Sequence, residues 1–252
     1  MIVPALKGGL CNQIFQICAA LGMARDNGTD FAINYNLPHG CIAGFKPIKY
    51  KDDLYKNIPT TNYVPNKQWS EPKFSYTPPP SDKDLLIDGY FQTIKYFEKY
   101  IDEVKNLFHF SDDVVSRCNI ILNRTNKYKV GVHIRRGDYL RFKNIHFICD
   151  DDYYVRASKY FNECSFVVCS DDYNIIRNIN MGDTVYSESF DEVVDLYILS
   201  QCDSMIMSNS SFSWWGTVFG KIKDKVVTPK TWFGPEGYQD YQDIYIENWI
   251  KI

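Results

Sequence analysis

Apolar positions along this chain recur at two periods. MIVPAL at the start, FAINY at Phe31–Tyr35, LLIDGYF, KVGVHI, SFVVCS, DTVY, SMIMS and KVVTP are short segments bounded by polar turns, the signature of strands covered on both faces. Between them the apolar spacing widens to that of a helix with a buried face. It does so at about Asn12 to Arg25, Thr93 to Phe108, Asp151 to Phe161, Asp172 to Asn178, Phe190 to Ser200 and Phe212 to Gly220. Strands alternating with helices predict an α/β fold in which helices cover parallel sheets.

One stretch breaks the alternation. From Leu37 to Asp84 the chain is rich in turn formers, and EPKFSYTPPPSD carries prolines that exclude a regular element, so it reads as a surface excursion within the first half. The polar segment NRTNKYK, Asn123–Lys129, marks a boundary. It divides the chain into residues 1–126 and 127–252, both of α/β character. The tail from Gln239 to Ile252 fits either a helix or a strand lying back on the first half.

Composition narrows the class. With 252 residues and 45% hydrophobic content the chain can bury a sizeable core. A net charge of -3 excludes broad nucleic-acid or anionic-membrane binding through a large basic surface, so any anion site is local. The eight cysteines form no C-x-x-C pair, and the four histidines form no H-x3-5-H pair. Together with an opening, MIVPALKGGL, that lacks a signal peptide, this predicts free thiols in a reducing, cytoplasmic setting and no zinc site. No apolar run is long enough to span a bilayer, so no integral membrane segment is expected.

Four motifs carry candidate chemistry. In GVHIRRGDY, Arg135 and Arg136 follow the apolar run KVGVHI. At the carboxyl end of a parallel strand, where α/β sheets bind ligands, two guanidiniums match a diphosphate. The alternatives are a surface turn with salt bridges to Asp138, and an Arg-Gly-Asp adhesion tripeptide. In SMIMSNSSFSWWG a strand runs into Ser208, Asn209, Ser210, Ser211 and Phe212 at a helix start, which suits either phosphate binding or plain capping. In FVVCSDD, Ser170, Asp171 and Asp172 follow a strand; carboxylates there accept hydrogen bonds from a ribose or a base, or cap a helix. Asp150, Asp151 and Asp152 imitate a metal-binding Asp-x-Asp but also suit a helix's first turn. In LKGGLCNQIFQ, Gly8 and Gly9 permit close backbone approach and Asn12 and Gln13 offer amides at a helix start; a simple tight turn explains them equally.

Taken together, GGLCNQIFQ, DGYFQTIKYF, VHIRRGDY, FVVCSDD and SNSSFSWWG resemble, in order, the motif set of the α-1,2-fucosyltransferase family that uses GDP-fucose. The resemblance covers Pro4 to Tyr35, Leu85 to Tyr100 and most of Lys127 to Gly237. It implies a GT-B-like architecture of two Rossmann-like domains with a cleft between them. The first would be acceptor-side and the second would bind the GDP-sugar. The implied reaction is inverting, metal-independent transfer of L-fucose from GDP-β-L-fucose to the 2-OH of a galactose-terminated glycan, with no cofactor. His133 and Arg135 would contact the nucleotide and its phosphates, Arg136 would support them, and Asp138 would orient Arg135 or the strand end. Ser170, Asp171 and Asp172 would hold ribose or guanine; Ser210, Ser211 and Phe212 would close on the phosphates, Ser208 and Asn209 shaping the turn. Gly8, Gly9, Asn12 and Gln13 would face the cleft. Arg135 and Asp138 are the implied catalytic pair, and Asp138 and Asp88 are the acids nearest the motifs.

One position departs from the family, which reads GGLGNQ where this chain has Cys11. A side chain there would narrow the cleft, or, on a positive-φ backbone, add strain of about 1 kcal/mol. Three rivals remain: a transferase for another GDP-sugar, a sugar- or nucleotide-binding module without catalysis, and a metal-dependent transferase.

Overall fold

The structure is a computed structural model. It describes residues 1–38, 40, 46–172, 174, 178–221 and 223–252. Two compact units emerge: residues 1–111 with 240–246, and residues 112–239 with 247–252.

The first unit holds a three-stranded parallel sheet in the order β1-β3-β2, with β1 at Ile2–Pro4, β2 at Gln68–Ser70 and β3 at Leu85–Asp88. Helix α1, Leu10–Asp26, is buried on nearly every face. That follows from its sequence: Ala19, Ala20 and Gly22 leave no bulk outside, so neighbouring chain packs close. A methyl on Gly22 would overlap the Tyr96 carbonyl, which fixes where the 93–108 segment crosses the helix. That segment is not one helix. It forms two short 3-10 turns, Ile94–Tyr96 and Glu98–Tyr100, before α2 at Ile101–Leu107. The expected strand FAINY also reduces to isolated bridges, Phe31 with Ile2 and Ile33 with Thr60.

The second unit carries a six-stranded parallel sheet in the order β6-β5-β4-β7-β8-β9. Its strands are β4 (Tyr128–Ile134), β5 (Cys164–Ser170), β6 (Thr184–Tyr186), β7 (Ser204–Ile206), β8 (Val226–Thr228) and β9 (Ile250–Lys251). Every β5 residue is buried, and so are the last five of β4, as continuous apolar runs predict for central parallel strands. Among the described residues four helices accompany the sheet: α3 (Asp112–Leu122), α4 (Asp151–Ser158), α5 (Glu192–Gln201) and α6 (Ser211–Val218). The expected helix at Asp172–Asn178 lies largely outside the described residues.

The sequence division at 126/127 falls after α3, whereas the units divide between Ser111 and Asp112. The physical reason is that α3 packs on α5, burying Val114, Cys118, Ile121 and Leu122. The tail differs from both alternatives, because its strand joins the second sheet and not the first half. A 3-10 turn at Gln242–Ile244 belongs to the first unit, and β9 extends the second sheet beside β8. In the first unit Asp240 and Asp243 accept the Ser75 and Tyr76 N–H groups at 2.9 and 3.0 Å.

Candidate functional site

The carboxyl ends of β4, β5 and β7 lie side by side, because Ile134 pairs in register with Ser170 and Val132 with Ile206. Three motifs far apart in sequence thereby meet at one edge. Arg135 leaves β4 and reaches two carboxylates: its Nη2 donates to Asp138 at 2.6 Å and its Nη1 lies 2.9 Å from Asp171. Arg136 turns away, its Nη2 donating to Asp151 at 2.7 Å. The adjacent guanidiniums therefore do not share one anion in this structure, and the expected salt bridge to Asp138 is present.

Asp171 is the hub of this turn. Its Oδ1 accepts the Arg136 backbone N–H at 2.9 Å while its Oδ2 holds Arg135. A methyl on Gly137 would overlap that Oδ2 and sit 3.1 Å from Cγ, so the glycine of RRGD is needed for the carboxylate to reach in. In this structure the Asp171 carboxylate braces the turn. Asp172 also serves locally: its N–H donates to Ser170 Oγ at 3.1 Å, and its Oδ1 accepts the Asn174 N–H at 3.2 Å.

Arg135 keeps capacity for a ligand. A guanidinium carries five N–H donors, and these carboxylates occupy only part of the fork. Its Cζ lies 5.1 Å from the centre of the Tyr139 ring, and Tyr139 in turn stacks on His146 at 4.0 Å with 5° between planes. The Tyr139 hydroxyl donates to the Asn209 carbonyl at 3.2 Å. Burial pushes the Tyr139 phenol up to about 12, and burial with the nearby Arg135 charge lowers the His146 imidazole. Arg136 is 8% exposed and its Nε has no protein hydrogen-bond partner.

Beneath this edge lies a buried polar cluster. His133 Nδ1 is 2.7 Å from Ser213 Oγ and 2.9 Å from Ser208 Oγ, and the two hydroxyls are 2.9 Å apart. Ser208 N–H also donates to Ser213 Oγ at 3.1 Å. Burial, aided by the Arg135 charge, lowers the His133 imidazole to about 3, so it is neutral and works as a brace for the turn into α6. Ser210 caps that helix, accepting the Phe212 N–H at 3.2 Å, and Ser211 is its first residue. Phe212 lies over His133 at 4.9 Å. Asn209 donates to the Trp232 carbonyl at 2.7 Å. His133, Arg135, Arg136, Ser208, Asn209, Ser210, Ser211 and Phe212 are therefore brought to one edge, His133 and Ser208 as its support. Ser213, Tyr139 and His146 were not foreseen; only the i, i+3 spacing of Ser210 and Ser213 pointed to the first.

The acidic run has local partners. Asp150 caps α4 by accepting the Tyr153 N–H at 2.7 Å, and Asp151 pairs with Arg136. Among the described residues no three His, Cys, Asp or Glu side chains gather as metal ligands do.

In the first unit the glycine motif forms a turn into α1. Gly8 has φ +75°, which requires glycine, and Gly9 is the N-cap residue. Gln13 is fully buried, donating to the Gly8 carbonyl at 3.2 Å and accepting from Tyr55 at 3.3 Å, so it braces the turn instead of facing outward. Asn12 accepts from Gln92 at 2.8 Å. Cys11 lies inside α1 and is 3% exposed, outside the positive-φ residues. The strain expected there is absent, because the helix begins at Leu10. Asp88 ends β3 and pairs with Lys7 at 2.7 Å.

A parallel sheet whose carboxyl edge gathers an arginine turn and a capped helix, in a chain with a second parallel α/β unit, is a GT-B-like architecture. Solved structures agree on the fold. Fucosyltransferase NodZ from Bradyrhizobium matches with a TM-score of 0.59 at 11% identity, covering 86% of this chain and 93% of that one. NodZ α-1,6-fucosyltransferase soaked with GDP-fucose matches at 0.58 and 10% identity, covering 91% and 94%. Residues 30–252 match the model of glycosyl transferase family 11, and the chain belongs to that family.

Two Escherichia coli relatives are each 28% identical. One is the O-antigen biosynthesis glycosyltransferase WbnK, with 98% of this chain and 99% of that protein covered. The other is an alpha-1,2-colitosyltransferase, with 100% and 99% covered. Galactoside alpha-(1,2)-fucosyltransferase 2 of Oryctolagus cuniculus is 25% identical over 82% of this chain and 64% of its own length.

Proposed function

We propose that the protein transfers L-fucose from GDP-β-L-fucose to the 2-OH of a galactose-terminated glycan, with inversion and without a metal ion. The observation that carries this reading is Arg135, held by Asp138 and Asp171 at the edge where α6 begins. As the glycosidic bond breaks, the acceptor hydroxyl attacks the anomeric carbon from the opposite face and negative charge builds on the departing diphosphate. The open donors of Arg135 and the positive end of α6 answer that growing charge, and so stabilise the transition state more than the bound donor.

Residues around Arg135 prepare it. Asp171 and Asp138 fix its plane, Tyr139 backs it, and neutral His133 with Ser208 and Ser213 fixes the helix start. Asp138 orients Arg135 in this reading. The first unit is the acceptor side in this reading. The seven described cysteines carry free thiols, in keeping with a cytoplasmic setting.

GDP release from GDP-fucose in the presence of lactose, with and without EDTA, tests the proposal. Arg135→Lys should lower turnover at least tenfold, because a point charge cannot keep the forked contacts. Wild-type turnover in that variant, or loss of rate in EDTA, contradicts it. A second reading is transfer of another GDP-linked deoxyhexose, supported by the colitosyl name of a relative at 28% identity. Competition between GDP-fucose and other GDP-sugars separates the two.

A further inference from the structure

We propose that the exposed turn at residues 140–145, with Tyr238 beside it, is a membrane-contact surface that seats the second unit on an anionic lipid bilayer. Leu140, Phe142, Ile145 and Tyr238 are 44%, 52%, 42% and 48% exposed. These are four of the eleven exposed large hydrophobics among the described residues, concentrated in one place instead of scattered. Scattered apolar residues need no explanation, but a cluster marks an interaction surface.

The surface is built, not frayed. Ile145 and His146 N–H groups both donate to the Phe142 carbonyl at 2.9 Å. The Ile145 and Asn144 carbonyls accept from Gly234 and Glu236 N–H groups, also at 2.9 Å. A side chain at Gly234 or Gly237 would strike the Asn144 or Ile145 carbonyl, so those glycines let the 233–238 loop close against the turn. Tyr238 is fixed edge-on to Phe233 at 5.5 Å.

Charge selects the partner. Arg141 and Lys143 alternate with the apolar residues, and neither has an ion pair among the described residues. Of the nearby acids, Asp138 holds Arg135, and Glu236 accepts from the neutral Asn144 amide at 3.0 Å, so the two cations outnumber the one uncompensated carboxylate. Apolar side chains interleaved with unpaired cations suit the boundary between headgroups and acyl chains. A second copy of the chain fits poorly, because a two-fold interface lays the same patch on itself and brings Arg141 and Lys143 of both copies together. The net charge of -3 means that binding has to come from this patch. The patch follows Arg135 and Arg136 directly in the chain, so the bilayer would lie beside that edge, within reach of an acceptor glycan anchored in lipid.

Sedimentation of the full chain with vesicles of phosphatidylcholine, alone or mixed with phosphatidylglycerol, is the test. Binding is expected to the mixed vesicles, weakened at about 0.5 M salt. Phe142→Ser/Ile145→Ser should weaken it at least tenfold. Arg141→Ser/Lys143→Ser should do the same, each cation contributing roughly fivefold. Both variants should keep the wild-type melting temperature and turnover on a soluble acceptor. Three results overturn the proposal. The wild type does not bind mixed vesicles; the variants bind as it does; or light scattering finds a dimer that Phe142→Ser/Ile145→Ser dissociates, making the patch a self-association surface.

Discussion

Gly137→Ala puts the geometry of the arginine turn under direct test. The added methyl would overlap Asp171 Oδ2 and lie 3.1 Å from its Cγ, so the carboxylate must withdraw. Withdrawal breaks its bond from the Arg136 N–H and its pair with Arg135. The first, a hydrogen bond to a charged acceptor, contributes about 1.5–3 kcal/mol. The second joins side chains 31% and 22% exposed and adds at most about 1 kcal/mol. The sum, about 1.5–4 kcal/mol, corresponds to a melting temperature lower by about 3–8 °C for a chain of this size. Turnover should fall about 100-fold, since Arg135 is no longer held in place. A double-mutant cycle with Asp171→Ala, read by denaturant unfolding, isolates the cause: in that background Gly137→Ala should cost less than about 1 kcal/mol. An undiminished cost there, or a Gly137→Ala protein as stable and active as wild type, would refute the reasoning.

Other expectations follow from burial. His133, held down to about 3 by burial and by Arg135, should stay neutral when the folded protein is taken to pH 5, read as an unmoved imidazole carbon resonance; titration near 6.5 would contradict its place in the core. The sign of the linkage is fixed. The unfolded chain binds the proton and the folded one does not, so this group costs stability as pH falls below about 6.5, by about 2 kcal/mol at pH 5. Glu71 acts in the opposite sense: burial raises it to about 7, so it contributes stability below about 4.5 that is lost as pH rises through about 7. Glu71→Gln should flatten that part of a stability profile measured by denaturant, and an unchanged slope would count against it. All seven described cysteines are buried. A Cys41→Ser protein should therefore show no fast reaction with a thiol reagent until it is unfolded, and rapid labelling of Cys11 would place that residue at an accessible surface.

The second unit was the more legible of the two. Its strands are central and parallel, so their apolar runs are continuous, and each turn at a strand end carries polar residues with few other reasons to be there. β2 was unreadable because Gln68 and Ser70 are exposed on it, leaving no alternation to detect. α3 was readable in principle, since Val114, Cys118, Ile121 and Leu122 fall on one face, but it abuts the polar segment taken as a boundary. The Thr93–Phe108 pattern has the right apolar spacing for one helix. It breaks because Phe97, at φ −146°, leaves the helical region where the chain crosses α1 at Gly22. At the site, residue types were legible and partners were not. Asp171 stood out because it follows a strand, but its contact with Arg135 was not legible, since it is set by the register of β4 against β5. Cys11 looked strained because a glycine stands there in the family, yet helical backbone accepts any side chain that fits.

The central claim is that Arg135 and the start of α6 hold the diphosphate of the donor. A crystal structure of the protein with GDP tests it most directly. The account predicts a phosphate oxygen within hydrogen-bond distance of the Arg135 guanidinium and of the Ser211 N–H. GDP bound elsewhere, with Arg135 still closed on Asp138 and Asp171 alone, would contradict it.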